Sequence, residues 1–289
     1  MIRAIDVLDL RKKLIRQADE HKGSGGRIVI IGGQNGMTGA LALAGIGALY
    51  SGAGWVELGF LANPYPLLIE EHPELMIHQA QTIKLNDADV IAIGPGMGQG
   101  LEAKLLVEQA LLSHQTLVLD ADALNLISQS PELIELLKNR SADSVLTPHP
   151  GEAARLLNLS SAKIQADREK SINALIEKTQ SIVVLKGAGT LCASPEHSVE
   201  ICTRGNSGMG SGGMGDTLTG IIAALIAQGA KHGLSTWDAT RLAVELHALA
   251  ADQLVEGKNS LGHPIGPIGL TASEVALEVR QLLNSTEKP

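Results

Sequence analysis

The 289-residue chain predicts an α/β fold, a mostly parallel central sheet held between two layers of helices. Three observations point there. Short continuous apolar runs such as Arg27-Ile-Val-Ile-Ile31 alternate with amphipathic segments of helix length, as strands buried on both faces require. Most of those runs stop in a glycine-rich or charged turn. A hydrophobic content of 44% against 19% charged residues supplies a substantial core. The length suits one large α/β domain, and neither a linker nor an internal repeat interrupts it, so residues 1–289 are read as a single domain.

The elements follow in order. Val7, Leu10, Leu14 and Ala18 recur at helical intervals and predict a helix to about Glu20. A turn-rich lead-in at 21–26 precedes a strand at 27–31, then Gly32-Gly-Gln-Asn-Gly-Met-Thr-Gly39 opens a helix of small residues from Ala40 to about Ser51. Ala42, Ala44, Gly45, Gly47 and Ala48 imply that this helix lies close on the sheet. Strands are expected at 55–60, 88–93, 116–119, 144–147 and 181–185, with a short apolar piece at 74–77. Helices are expected at 101–112, 131–138, 152–157, 161–178 and 236–255, and Thr271-Ala-Ser-Glu274 is a capping box that opens the last one. Segments 191–193 and 200–202 read as an antiparallel hairpin, which places Cys192 and Cys202 as small buried residues of neighbouring strands. Their spacing is not C-x-x-C, so zinc and a disulfide framework are disfavoured.

Charge narrows the function. A formal charge of −8 and only 2% aromatic residues disfavour nucleic acid, whose binding needs cationic neutralisation and stacking platforms. No run approaches the ~20 apolar residues of a membrane span, and the N-terminal residues lack a signal-peptide pattern. A cytoplasmic address is expected.

The functional residues cluster at strand exits. Gly32-Gly33, Gly94-Pro-Gly-Met-Gly98, Asp120-Ala-Asp-Ala-Leu-Asn125, His149-Pro-Gly-Glu152 and Lys186-Gly-Ala-Gly-Thr190 each follow an apolar run. Ligands of open α/β sheets bind outside the carboxyl ends of the strands, so five such exits predict one enzyme site. The glycine-rich stretch from Gly205 to Gly220 feeds the apolar run 221–226, as a loop entering a helix N-terminus does. Its N–H groups and the helix dipole favour an anion. Asp216 is either the N-cap of that helix or the group that takes a substrate proton. Lys186 is either a surface hairpin lysine or a phosphate contact. His149, held between two prolines, is suited to hydrogen-bond substrate or move a proton. Glu152 either caps the following helix or orients a metal-bound water. Asp120 and Asp122 either bind metal or form a strand-end turn closed by Asn125. The G-x-G-x-x-G pattern of a dinucleotide-binding strand–helix unit is lacking.

Taken together and in this order, these motifs with Gly212-Gly-Met-Gly-Asp216 resemble the ADP-dependent NAD(P)H-hydrate dehydratases of the ribokinase-like superfamily. The resemblance runs from about His21 to Asn284. Met37 departs from it, standing where many members carry an aromatic residue. The resemblance implies a three-layer αβα fold and repair of NADHX and NADPHX. A nucleoside diphosphate, or triphosphate in some members, activates the ring hydroxyl, and phosphate leaves. It also implies Asp216 as general base and substrate contact, with Ala40, Gly98 and His149 on the hydrated dinucleotide. Lys186, Gly187, Ala188, Gly189, Thr190, Gly212, Gly213 and Gly215 are implied on the nucleotide. Mg²⁺, a homotetramer, a stand-alone chain and an epimerase supplied elsewhere belong to the same implication. The competing expectation is a small-molecule kinase of that superfamily, of the hydroxymethylpyrimidine or hydroxyethylthiazole kinase type, which would use Asp216 and its loop alike.

Overall fold

The computed structural model describes residues 2–259 and 262–285. One ten-stranded sheet runs through it: β1 (Arg3–Ala4), β2 (Arg27–Gly32), β3 (Trp55–Phe60), β4 (Met76–Gln79), β5 (Val90–Ile93), β6 (Thr116–Leu119), β7 (Ser144–Leu146), β8 (Ile182–Leu185), β9 (Leu191–Ser194) and β10 (His197–Ile201). The spatial order is β1-β10-β9-β8-β7-β6-β5-β2-β3-β4. Only β9 runs against the others, because it pairs antiparallel with both β8 and β10. The chain lays down β2, β3 and β4 outward and then returns to place β5 on the other side of β2. That reversal puts a crevice at the carboxyl ends of β2 and β5.

Alternation along the strands fills two cores. Ile28, Ile30, Val90, Ala92, Val118, Val145 and Val184 face α1 (Thr38–Tyr50), α8 (Met214–Lys231), α9 (Thr236–Glu256) and α10 (Ala272–Asn284). Val29, Ile31, Ile91, Ile93, Leu117, Leu119 and Leu185 face the second layer, α2 (Leu101–Leu112), α3 (Ala121–Gln129), α4 (Pro131–Lys138), α5 (Pro150–Leu157), α6 (Ser161–Ala166) and α7 (Arg168–Thr179). The strands are apolar on both faces because helices cover both. The capping box on α10 is present, with Thr271 and Glu274 exchanging bonds.

Four expectations are corrected. The opening segment is not a helix to Glu20. It forms β1 and a 3-10 turn at Leu8–Leu14. Ile5 N–H donates to the Ile201 carbonyl and Val7 N–H to Glu245, so the sheet edge and α9 capture the backbone against its local periodicity. Residues 161–178 form two helices, split at Asp167, whose carboxylate accepts from Lys170 N–H and caps α7. Residues 120–125 are not a closed turn but the start of α3, with Leu124 and Ile127 buried at helical spacing. The small residues of α1 make their closest approach to α8 rather than to the sheet. A Cβ on Gly220 would lie 1.8 Å from the Ala44 carbonyl oxygen, and one on Gly47 would lie 2.4 Å from that of Thr217.

Candidate active site

The exits of β2, β5, β6, β7 and β8 belong to five consecutive strands, and backbone bonds continue the ladder beyond each strand. Gly94 N–H donates to Ile31, Asp120 to Ile93, Thr147 to Leu119 and Lys186 to Pro148. The five exits therefore lie side by side along one edge of the sheet. The first two exits also interlock, with Gly33 N–H donating to the Pro95 carbonyl at 2.9 Å and Gln34 N–H to Gly96 at 2.7 Å. A side chain at Gly32 has no room, since its Cβ would meet the Pro95 oxygen at 2.0 Å. Beside this contact a Cβ on Gly96 would lie 3.1 Å from that of Ala40, and one on Gly98 would collide with the Gln34 side chain. Asp122 holds the Gly98 turn from beneath, accepting from Gly98 N–H at 2.9 Å and from Gln99 and Asn125 side chains at 3.2 Å.

Asp120 and Lys186 form the charged floor. Asp120 is buried, accepting from Lys186 Nζ at 2.7 Å and from the Thr219 hydroxyl at 2.8 Å. Those bonds occupy its carboxylate, so it does not cap α3 with its side chain. Ala121 beside it takes a left-handed conformation, φ 48°, a strained choice for a residue with a Cβ. Lys186 is thus no surface lysine. Burial opposes its charge, but the carboxylates of Asp120, Glu152 and Asp216 outweigh burial and hold its pKa above the ordinary value.

Asp216 is not the N-cap of α8. Gly213 occupies that place at φ 89°, a left-handed conformation that glycine adopts freely, and Asp216 stands three residues on. Its carboxyl is pushed up to about 6 by burial first and then by Asp120, with Glu152 adding and Lys186 opposing. A carboxylate so placed is ionised at neutral pH yet basic enough to accept a proton.

His149 and Glu152 cap α5 reciprocally. His149 Nδ1 accepts from Gly151 N–H at 2.9 Å, and Glu152 Oε2 accepts from His149 N–H at 2.8 Å. Glu152 Oε1 lies 3.1 Å from His149 Nε2. The capping alternative for Glu152 is therefore realised. Among the described residues no group of three or more His, Cys, Asp or Glu is arranged to hold a metal ion.

A cavity of about 690 Å³ opens beside this floor, large enough for a nucleotide. Residues 186–190 and 203–207 line it, together with Met209, Gly210 and residues of α8 and α9, among them Gly215, Leu218, Val244, His247 and Ala248. Of the predicted nucleotide contacts, Lys186, Gly187, Ala188, Gly189, Thr190 and Gly215 line it. Gly212 and Gly213 do not. Ala40, Gly98 and His149 stand outside it, along the strand exits. A second cavity, about 490 Å³, is lined by Arg11, Arg16, Gly52 and Gln228 and touches none of the strand exits.

Several residues that shape the site left no mark in the sequence. Arg168 on α7 donates to the carbonyls of Ala188 at 2.7 Å and Leu185 at 2.9 Å, fixing the 186–190 turn. Asp252 on α9 accepts from Gly205 N–H at 2.8 Å and Asn206 Nδ2 at 3.0 Å, and Glu245 meets Arg204 at 3.5 Å. Thr219 and His247 are buried polar residues in apolar helices, a weak signal that burial alone explains equally well.

A glycine-rich turn, a helix N-terminus and a basic carboxylate at the strand exits, on a sheet of this order, put the chain in the ribokinase-like α/β class. Comparison narrows the class. Residues 28–264 match the family model described as NAD(P)H-hydrate dehydratase, and the chain belongs to that family. It is 42% identical over 274 residues to the bifunctional NAD(P)H-hydrate repair enzyme Nnr of Coxiella burnetii, covering 93% of this chain and 52% of that relative. The chain thus spans about half the length of such curated relatives. It is 37% identical over 277 residues to the ADP-dependent (S)-NAD(P)H-hydrate dehydratase of Neisseria meningitidis serogroup B, covering 94% and 90%. Among solved structures, the ADP/ATP-dependent NAD(P)H-hydrate dehydratase of Bacillus subtilis, co-crystallised with ATP and Mg²⁺, aligns with a TM-score of 0.82 at 28% identity, covering 97% of each chain.

Proposed function

We propose that this chain dehydrates the S form of NADHX and NADPHX, using ADP as phosphoryl donor and releasing AMP and phosphate. The observation that carries the reading is Asp216, raised to about 6, placed directly after Gly215, which lines the nucleotide-sized cavity. Asp216 accepts the proton of the ring hydroxyl as that oxygen attacks the terminal phosphoryl group. A new P–O bond forms and the P–O bond to AMP breaks. The ring C–O bond then breaks with phosphate as leaving group, and loss of a proton from the neighbouring ring carbon restores the double bond. Hydroxide would be a far poorer leaving group.

The remaining residues position the reactants. Lys186, with the N–H groups of residues 187–190 and 215 and the N-terminus of α8, offsets charge on the transferring group. Gly212 and Gly213 act through the helix N-terminus. Ala40, Gly98 and His149 bound the place of the hydrated dinucleotide beside the interlocked exits. Mg²⁺ fits this setting. The described carboxylates form no metal cage, but a hard cation needs only one or two of them and takes its other oxygen ligands from phosphates and water. When bound, it would supply charge neutralisation of the phosphates, with Asp216 or Glu152 reached directly or through water. We place the enzyme in the cytoplasm with its cofactors, as a homotetramer covering Leu67 and Leu68, which are 87% and 54% exposed. An epimerase would supply the reactive S epimer.

The test is the near-ultraviolet absorbance of the dihydronicotinamide ring after adding protein to NADHX with Mg²⁺, and with ADP, ATP or neither. A nucleotide-dependent rise matched by released phosphate supports the reading and names the donor. A stable phosphorylated small alcohol, with no rise, would instead identify a kinase sharing the same loop.

A further inference from the structure

His247 lies on α9 between Val244 and Ala248, and all three line the nucleotide-sized cavity. It is 4% exposed, and its Nε2 has no hydrogen-bond partner among the described residues. A buried polar atom without a partner is costly, so a site that retains one calls for an occupant. Burial, and then the Lys186 ammonium, push its pKa down to about 4, so the ring is neutral through the physiological range. A neutral imidazole offers one N–H and one acceptor nitrogen.

The surroundings decide what such a group meets. The groups suited to phosphate are residues 186–190 and Gly215. Leu218, Val244, Ala248 and Met209 make an apolar surface that suits a flat base and its sugar. His247 shares the α9 face with Val244 and Ala248, where an uncharged hydrogen-bonding partner is matched by uncharged ligand atoms. We infer that His247 is a binding residue for the uncharged nucleoside end of the nucleotide, giving or accepting one hydrogen bond at Nε2. This rests on the reading that the cavity holds a nucleoside diphosphate or triphosphate.

The experiment is calorimetric titration of ADP and of AMP, with Mg²⁺, into the full chain and its variants. His247→Phe keeps the ring volume and removes both nitrogens, and is expected to weaken both ligands by about tenfold. His247→Gln, which returns a donor and an acceptor, is expected to recover affinity to within about threefold of the wild type. Melting without ligand reports folding, and His247→Leu replaces the Phe variant should the latter not fold. Wild-type affinity in the Phe or Leu variant overturns the assignment. Equal losses in the Gln and Phe variants assign His247 to packing instead. A loss confined to ADP moves the contact to the terminal phosphate and overturns the nucleoside assignment. A wild-type chain that takes up neither ligand refutes the nucleotide reading itself, a separate failure.

Discussion

Lys186 reaches across β7 to Asp120, its Nζ donating to Oδ1 at 2.7 Å, and so ties the exit of β8 to that of β6. The pair stands beside Asp216 and acts on it with opposite signs. Lys186 lowers the Asp216 pKa and Asp120 raises it. Lys186→Met is therefore expected to shift the acid limb of the pH–rate profile upward, and Asp120→Asn to shift it downward. Profiles of kcat/KM for the two variants check this. Movement in one common direction would remove the electrostatic account. Stability suffers most in Asp120→Ala, which strands the ammonium. Breaking buried pairs typically costs about 3–5 kcal/mol. The lower end is expected here, because Lys186 keeps 19% of its side-chain surface in solvent.

Asp216 itself carries two predictions of opposite character. As proton acceptor it must be ionised, so turnover is expected to rise with pH through about 6 and then level. Asp216→Asn is expected to lose about 10²- to 10⁴-fold in kcat. The same substitution should stabilise the ligand-free protein at pH 8. A carboxyl whose folded pKa is raised contributes stability that is intact below its ordinary 3.8 and lost as pH rises through about 6. At pH 4 the gain should vanish. Thermal melts at the two pH values decide it.

Arg168 is expected to matter without touching ligand. Arg168→Ala removes the guanidinium that holds the carbonyls of Leu185 and Ala188. Charged hydrogen bonds are worth about 1.5–3 kcal/mol each, and water recovers part of that. The nucleotide KM is expected to rise about tenfold with kcat nearly kept. An unchanged KM would show that the turn holds its shape alone.

Gly220 offers a test of packing. Alanine in a helix interior usually gains about 1 kcal/mol over glycine. Here the new Cβ would stand 1.8 Å from the Ala44 carbonyl oxygen, so α1 and α8 must separate. Gly220→Ala is expected to lose about 1–3 kcal/mol in denaturant unfolding. Gly39→Ala, in the first turn of α1, meets nothing within 4 Å and serves as the control, expected to keep or slightly raise stability.

The strand exits were legible because their chemistry is local. Glycine, proline and aspartate at the end of an apolar run announce a turn wherever the strand then lies. The apolar runs themselves marked β2, β5, β6 and β8 for the same reason. What could not be read depends on which distant segments meet. Val7 and Leu10 keep a helical spacing, yet Glu245 binds the Val7 N–H and the segment joins the sheet edge. The α3 helix was hidden behind Asp120, Asp122 and Asn125, residues whose local bonding usually favours turns. Here a lysine 66 residues away occupies Asp120. Arg168 and His247 carry no motif at all. Their meaning comes from the helix faces they occupy.

The reversed strand β9 has a consequence for how this protein could be altered. Because β8 runs up to the site, β9 descends from it and β10 climbs back, residues 186–190 and 203–207, which follow β8 and β10, both stand at the site edge of one short strand unit. Ten of the residues that line the cavity are therefore encoded within one short continuous stretch of chain. The exits of β2, β5 and β7, where the proposed function puts the hydrated dinucleotide, are encoded well upstream. On that reading, swapping residues 182–207 between family members should carry much of the donor preference across, while the residues proposed to meet the repair substrate stay with the host.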